Sequence, residues 1–452
     1  MKKVYIALLG ASIAYTHATA QQPVKLSLDD CIAYALKNNY SVRNAHIDML
    51  IQDAQNKQTT ALAKPRVNGK ADFAYSNIVQ SSFIDASTFP SSPGAPTPPK
   101  GTIIPIQFSL PYAGSAGITT SQVLFDGSVM VALQARNTVM ELARNNERIS
   151  AENVKYGVYK AYNTLVIAYK QFENIKNSLS LLRSVGNDIE KLKAAGFSEK
   201  IDVDRTNVQI NNLATDSMKV ANMLTVSEQV LKYNLGMEIN TPIVLTDTNI
   251  DKRSAAAMEL VAEKENYDRL PEFNALNNAL KLNQYNLRRY QLSAIPSIAG
   301  FWTYGANYGS DKFSPMFSFD NYRVYSMFGV SISAPIFNGF ARQHQIHEAR
   351  LNIEKTRNNI DNLKLGVDFQ AAMARTNLKN AMLQIQSQKR NLELANSVLD
   401  LAQKKYKAGV GSNLEVTNAQ GQLLQAQNNY FMSLSDMTNA EADLRKALGL
   451  LK

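Results

Sequence analysis

Leu124-Phe125-Asp126-Gly127 returns downstream as Ile336-Phe337-Asn338-Gly339, a shift of 212 residues. Ala195-Gly196-Phe197 returns as Ala408-Gly409-Val410, and Leu235-Gly236 as Leu448-Gly449, each with a shift of 213. Landmarks that keep register from 124 to 236, inside the same hydrophobic rhythm, mark an internal duplication. A repeat of this kind fixes the architecture before any local element is assigned.

Both copies share one layout. After the Phe-Asp/Asn-Gly corner, about 70 residues run almost without Gly or Pro to Ala-Gly, and about 35 more lead to Leu-Gly. The shorter run carries a heptad seam: Val203, Thr206, Ile210, Leu213, Ser217, Val220, Leu224, Ser227 and Leu231 in the first copy. Its counterpart is Val416, Ala419, Leu423, Ala426, Tyr430, Ser433, Met437, Ala440 and Leu444. Steps of three and four residues are the coiled-coil period, and small seam residues let neighbouring helices approach closely. At about 1.5 Å per residue the longer run, as one helix, reaches roughly 100 Å, a length suited to spanning a compartment.

The chain opens like a secretory signal peptide. Lys2-Lys3 form the basic region, Val4–Tyr15 the apolar core, and Ala18-Thr19-Ala20 a cleavage site, which assigns residues 1–20 to export. Without Lys2 and Lys3 the chain keeps 46 basic against 38 acidic residues, a net charge of about +8. Those charges are spread along the helical runs as solvated faces, which argues against a nucleic-acid partner. A single cysteine, Cys31, excludes an intrachain disulfide framework and reads as a small apolar core residue of the first helix. Past the signal there is no apolar run of about 18 residues, so a membrane helix is not expected. Membrane β-strands, with their weaker signature, stay open.

Ser27 and Asp30 have the spacing of a capping box and predict a helix running to about Ala63, stopped by Pro65. Its counterpart runs from about Pro271 to Ser293, stopped by Pro296. Between each of these prolines and the following corner lie segments of period two. Val67, Gly69, Ala71, Phe73 and Tyr75 alternate with polar or small residues, as do Ile298, Gly300, Trp302 and Tyr304, and then Phe328, Val330 and Ile332. Ile118, Thr120 and Gln122 repeat the pattern weakly. Strands are expected over about 65–80, 112–125, 296–309 and 322–337. The first pair brackets a loop, Phe89–Lys100, in a region that holds seven of the fourteen prolines. Trp302, Tyr304, Tyr308, Phe313, Phe317, Phe319, Tyr322, Tyr325 and Phe328 gather around the second pair, either as the core of a small sheet or as an interfacial girdle. Four strands cannot close a barrel, and lipid tolerates no open sheet edge. A barrel therefore needs several chains: eight, twelve or sixteen strands from two, three or four copies.

At this point the chain resembles the TolC-family outer-membrane factors. The match rests on the signal, the duplicated helix–strand–strand–helix–helix plan, Ser27-Leu-Asp-Asp-Cys-Ile-Ala-Tyr-Ala-Leu36 with Asn38-Asn39, the two corners, and Tyr406-Lys-Ala-Gly-Val-Gly-Ser-Asn-Leu-Glu-Val416. The resemblance implies a mainly α protein with membrane β structure: a homotrimer whose 12-stranded barrel in the outer membrane continues into a long periplasmic α-helical barrel. The first repeat would span 21–236, an equatorial linker 237–266, and the second repeat 267–452. It implies a passive outer-membrane export duct of a tripartite efflux pump or type I secretion system. The duct would dock a periplasmic adaptor and, through it, an inner-membrane transporter of the RND or ABC type. The helix turns at Gly196 and Gly409 would form the gate and the docking point. Asp202 and Tyr406 match the family's closing network, and Glu415 matches its first acidic ring, with Asp202 as the counterpart in the first copy. The second acidic position falls on Asn418 and the network's arginine on Gly411, so Lys200 and Arg205 are the candidate replacements.

Other chemistry is sparse. His344 and His347 stand three apart beside Glu348, a pair without further ligands, and no metal or cofactor is expected. No phosphate-binding loop or nucleophile motif occurs, and no enzymatic activity is expected. The remaining alternative is a periplasmic coiled-coil scaffold or adaptor without channel activity, although an adaptor of that type carries one hairpin where this chain has two.

Overall fold

A computed structural model describes residues 23–88, 96, 98–248, 251–313 and 321–451. The signal segment, most of the proline-rich loop, and Phe317 with Phe319 lie outside the described residues. The elements run β1 (Val24–Leu26), α1 (Leu28–Asn38), α2 (Tyr40–Ala61), β2 (Arg66–Tyr75), β3 (Ser82–Asp85), β4 (Ile103–Ile106), β5 (Tyr112–Phe125), α3 (Gly127–Ala194) and α4 (Lys200–Leu235). The second half adds β6 (Ile243–Leu245), α5 (Asp251–Ala262), α6 (Pro271–Leu292), β7 (Ser297–Ser310), β8 (Arg323–Ser333), α7 (Ala341–Lys407) and α8 (Asn413–Ala447). Helices α3 and α7, of 68 and 67 residues, are the two long arms, and α4 and α8, of 36 and 35, the two seam helices. The chain divides into two compact units, one of residues 1–47, 145–273 and 361–452, the other of 48–144 and 274–360.

The second unit is built on one antiparallel sheet of order β2-β5-β7-β8. Side chains alternate across a strand, so the register sorts them into two faces. Val67, Thr120, Trp302 and Phe328 share one row. Phe73, Tyr75, Ile118, Tyr304, Val330 and Ile332 fall on the same face, and all six are exposed in the single chain. Asp72, Ser115, Asn307 and Arg323 form a row on the opposite face, where Lys70 pairs with Asp72 at 2.8 Å. One face is therefore apolar and aromatic, the other polar. Gly117 and Gly305 let β5 and β7 meet closely, since a Cβ on Gly117 would lie 3.1 Å from the Gly305 Cα. The β2–β5 connection carries a small strand pair, β3 with β4, which flanks the expected loop Phe89–Lys100 on either side. Asp85 fixes its base by accepting from the Ser87 and Gly101 amides.

The first unit is helical, with β1 and β6 as a parallel pair at its margin. Its core joins Tyr162 and Leu165 of α3, Leu231 and Leu235 of α4, Leu378 of α7, and Leu434, Met437 and Leu444 of α8. Every seam residue of α8 is buried except half-buried Tyr430, and α8 also buries Phe431, Leu434, Thr438 and Glu441 beside the seam. Helix α4 buries its single seam, with Ile210, Ser217 and Leu224 only half-covered. Thus α8 is packed on two sides and α4 on one.

The duplicated glycines are helix ends. Gly196, Gly236, Gly409 and Gly449 all have positive φ. After each, the next amide donates five residues back: Phe197 to Leu192, Met237 to Lys232, Val410 to Lys405 and Leu450 to Arg445. This double closure satisfies carbonyls that a helix end otherwise leaves unpaired, and glycine is the residue that adopts its left-handed turn without strain. The expected single first helix is instead two. Asn39 ends α1, caps α2 by accepting from the Ser41 amide, and donates to the Asn234 carbonyl at 2.7 Å. The end of α4 presses into this junction, where a Cβ on Gly236 would lie 2.8 Å from the Asn38 carbonyl oxygen. The break at Asn39 is thus imposed by long-range packing.

The capping box at the start of α1 is present, with Ser27 Oγ accepting from the Asp30 amide at 3.1 Å and Asp30 accepting from the Ser27 amide at 3.0 Å. One turn in, Cys31 is fully buried. Burial, assisted by the Asp30 charge, pushes its thiol up to about 12. Native protein at pH 7.5 should therefore leave Cys31 unmodified by a maleimide and react fully in denaturant; rapid labelling of the folded chain would contradict this packing.

Candidate functional site: the helix turns

Both turns are assembled in the same way. Each long arm ends in the glycine turn, a short loop follows, and a seam helix begins at Lys200 or Asn413. Ser412 caps α8 by accepting from the Glu415 amide at 3.3 Å. The turns expose one large apolar side chain each, Phe197 (82 %) and Val410 (78 %), at equivalent positions. Around them stand Lys191, Lys193, Lys404, Lys405 and Lys407 from the last turns of α3 and α7, placed where cations oppose the helix dipole favourably.

Behind the second turn the two arms of its hairpin close over a small apolar cluster, Leu399 and Ala402 of α7 with Val416, Ala419 and Leu423 of α8, and Val185 of α3 packs against it from the other hairpin. Tyr406 packs against this cluster with half its surface covered. Its side chain lies near Ser198, and Ser198 Oγ donates to Asp202 Oδ2 at 3.3 Å. A groove of about 750 Å³ runs beside the tyrosine, with Asp188, Lys191 and Phe197 on its walls. Burial raises the Tyr406 phenol above its ordinary value, and the Asp202 and Asp188 charges add to the rise. The hydroxyl therefore remains protonated across the neutral range, as a donor beside two carboxylates.

Asp202 is half-buried and lies among side chains from the other hairpin. Asn413 Nδ2 reaches the Asp202 carbonyl oxygen at 3.2 Å, its Oδ1 at 3.5 Å and Thr206 Oγ1 at 3.3 Å. The structure thus brings Tyr406 and Asp202 together beside Ser198. Glu415, Asn418 and Arg205 are exposed in the single chain and take no part in this cluster. Among the described residues no ion pair joins Arg205 to Asp202, and no group of three or more His, Cys, Asp or Glu stands close enough to hold a metal. His344 and His347 are exposed on α7.

Sequence reasoning missed Ser198 and Asn413. A serine in a turn and an asparagine at a helix start are the commonest residues at such positions, so neither carries a signal of its own. Gly411, where the resemblance calls for arginine, is explained by contact: a Cβ there would lie 2.9 Å from the Lys405 Cβ and 3.1 Å from the Tyr406 backbone nitrogen.

The comparisons with known proteins agree with this geometry. The sequence model of the family described as outer membrane efflux protein matches residues 270–450, the second repeat. The outer membrane protein TolC of Vibrio cholerae is 22% identical over 346 residues, which is 75% of this chain and 77% of that protein. Among solved structures, CusC superposes with a TM-score of 0.74 at 20% identity, covering 93% of this chain and 91% of the other. VceC of Vibrio cholerae follows at 0.70 and 16%, covering 93% and 96%. The fold is that of the outer-membrane channels with duplicated helical hairpins. Residues 270–450 thus resemble the outer membrane efflux proteins in sequence, and the chain shares the fold of CusC and VceC.

Because the α7 end leaves no room at position 411, Gly411→Arg should loosen the turn. Limited proteolysis near 408–413 should run faster in the variant than in the parent; protection would show that the arginine can be accommodated and can latch.

Proposed function

We propose that three copies of the chain form the outer-membrane export duct of a tripartite efflux pump or type I secretion system, closed at the periplasmic helix turns. The observation that carries this reading is the sheet of the second unit. It has one apolar, aromatic face and two unpaired edges, β2 and β8, among the described residues. Strand direction alternates across the sheet. The β8 edge of one copy therefore runs opposite to β2 and can pair antiparallel with the next copy's β2, repeating until the ring closes. Three copies give the 12 strands that the family resemblance implies. The apolar face then meets lipid, with Trp302 and Tyr304 as interfacial aromatics, and the row of Asp72, Asn307 and Arg323 faces the water-filled lumen.

The helical unit supports the same assembly. Leu365, Phe369, Leu383 and Leu394 on α7, and Val226 and Tyr233 on α4, are large apolar residues left exposed in one chain. Joining the α7 row of one copy to the α4 row of the next would cover both, as heptad seams do. An isolated coiled-coil scaffold would leave the sheet edges and its apolar face unexplained. The exposed Phe197 and Val410, ringed by lysines, are the surface we assign to docking of a periplasmic adaptor, which links the duct to an inner-membrane transporter.

At the closed end, Asp202 near its symmetry mates and Glu415 on the exposed first turn of α8 would ring the pore with carboxylates. Inside a Debye length of about 8 Å such rings attract cations and repel anions. The hydroxyl of Tyr406, kept protonated close to Asp202, is the donor we assign to offsetting the resulting repulsion. Planar-bilayer recordings test this. Wild-type channels should prefer cations, and Glu415→Ala should lower that preference most clearly at low salt. Unchanged selectivity with assembly intact would remove Glu415 from the constriction, and a protein that never conducts would remove the duct reading itself.

A further inference from the structure

We propose that Asn413 is the clasp between the two hairpins of each chain, and that it positions the Asp202 carboxylate at the closed turn. The inference rests on the gate reading above and adds a residue that neither the duplication nor the family pattern singles out. Asn413 is 4% exposed, a polar side chain buried at the first residue of α8. From the first residue of α8 its amide nitrogen faces three oxygens of α4: the Asp202 carbonyl, the Asp202 carboxylate and the Thr206 hydroxyl. Thr206 Oγ1 in turn donates to the Asp202 carbonyl at 2.8 Å. The amide orientation follows from these partners, because the flipped side chain would set Oδ1 against three oxygens.

The bonds reach across more than two hundred residues of sequence, from one repeat to the other, so they couple the hairpins directly. Ser198 Oγ donates to the other oxygen of the same carboxylate at 3.3 Å. Asp202 is therefore fixed between a donor from α8 and a donor from its own turn. Losing either frees it to swing.

The same interface carries polar atoms with unmade bonds. Asn413 Oδ1, Gln420 Nε2 and Gln209 Oε1 are buried without hydrogen-bond partners, and Gln209 Nε2 reaches the Thr417 carbonyl only at 3.5 Å. Each unmade bond weakens the closed packing, and each would be satisfied by water if α4 and α8 parted. An aliphatic seam gains nothing from such a separation. Next to the turn, then, the α4–α8 contact is held by the Asn413 donor and weakened by its own unsatisfied amides, as suits a contact that must open. Farther along, where Leu213, Val220 and Leu231 fill the seam, there is no such balance.

The test uses the full-length channel in planar bilayers. Asn413→Leu keeps the length of the side chain, fills the same buried space and donates nothing. It should raise the fraction of time spent open several-fold, while the melting temperature of the assembled protein stays level or rises. Thr206→Val, which removes one partner at constant volume, should act in the same direction to a smaller extent. If Asn413 works through Asp202, then Asn413→Leu should add little in an Asp202→Ala background; a purely structural packing role would add its effect in both backgrounds. Parent-like gating in Asn413→Leu, or in Thr206→Val should the first variant fail to assemble, would overturn the proposal. A wild-type protein that does not conduct would instead count against the duct reading on which it rests.

Discussion

A backbone amide placed in hydrocarbon without a partner costs several kcal/mol, and a strand at the edge of a sheet presents a whole row of them. The four-stranded sheet leaves two such edges among the described residues, β2 and β8, and one of its faces is apolar and aromatic. That combination is unstable in water because of the face and unstable in lipid because of the edges. Closure with further copies removes both problems at once. Because the strand number in the sheet is even and each neighbour is antiparallel, every seam between copies would be the same antiparallel contact, so strand order permits the symmetric ring proposed above.

The helical unit solves a different problem with the same symmetry. Long arms and seam helices use small residues at alternate seam positions, and each helix end is closed by a glycine turn that satisfies its last carbonyls. Duplication supplies two hairpins per chain, similar in backbone and different in side chains. Asp202 stands where Glu415 stands in the other repeat, yet Asp202 is held among Ser198, Asn413 and Thr206 while Glu415 is exposed. The two repeats thus differ at the turn, with one carboxylate hydrogen-bonded and the other exposed in the single chain.

Much of this was legible in the sequence for physical reasons. The glycine landmarks were visible because only glycine enters the left-handed region cheaply, and the four turns need that region. The strands were visible because their two faces meet different surroundings. What was not legible depends on contacts between distant segments. The break at Asn39 arises where Gly236 packs, the pairing of β3 with β4 joins segments on either side of the proline-rich loop, and Asn413 acquires its meaning only from Asp202 and Thr206, more than two hundred residues away. Even Gly411, a departure from the family pattern, is explained by its neighbour Lys405 and by nothing in its own segment.

The most direct check of the central claim is the native mass of detergent-extracted protein, because everything above depends on edge strands being paired by other copies. The account predicts an assembly of three chains that keeps its mass on dilution and comes apart only when the sheet is denatured. A folded monomer, stable in detergent and released from cells by osmotic shock alone, would contradict it.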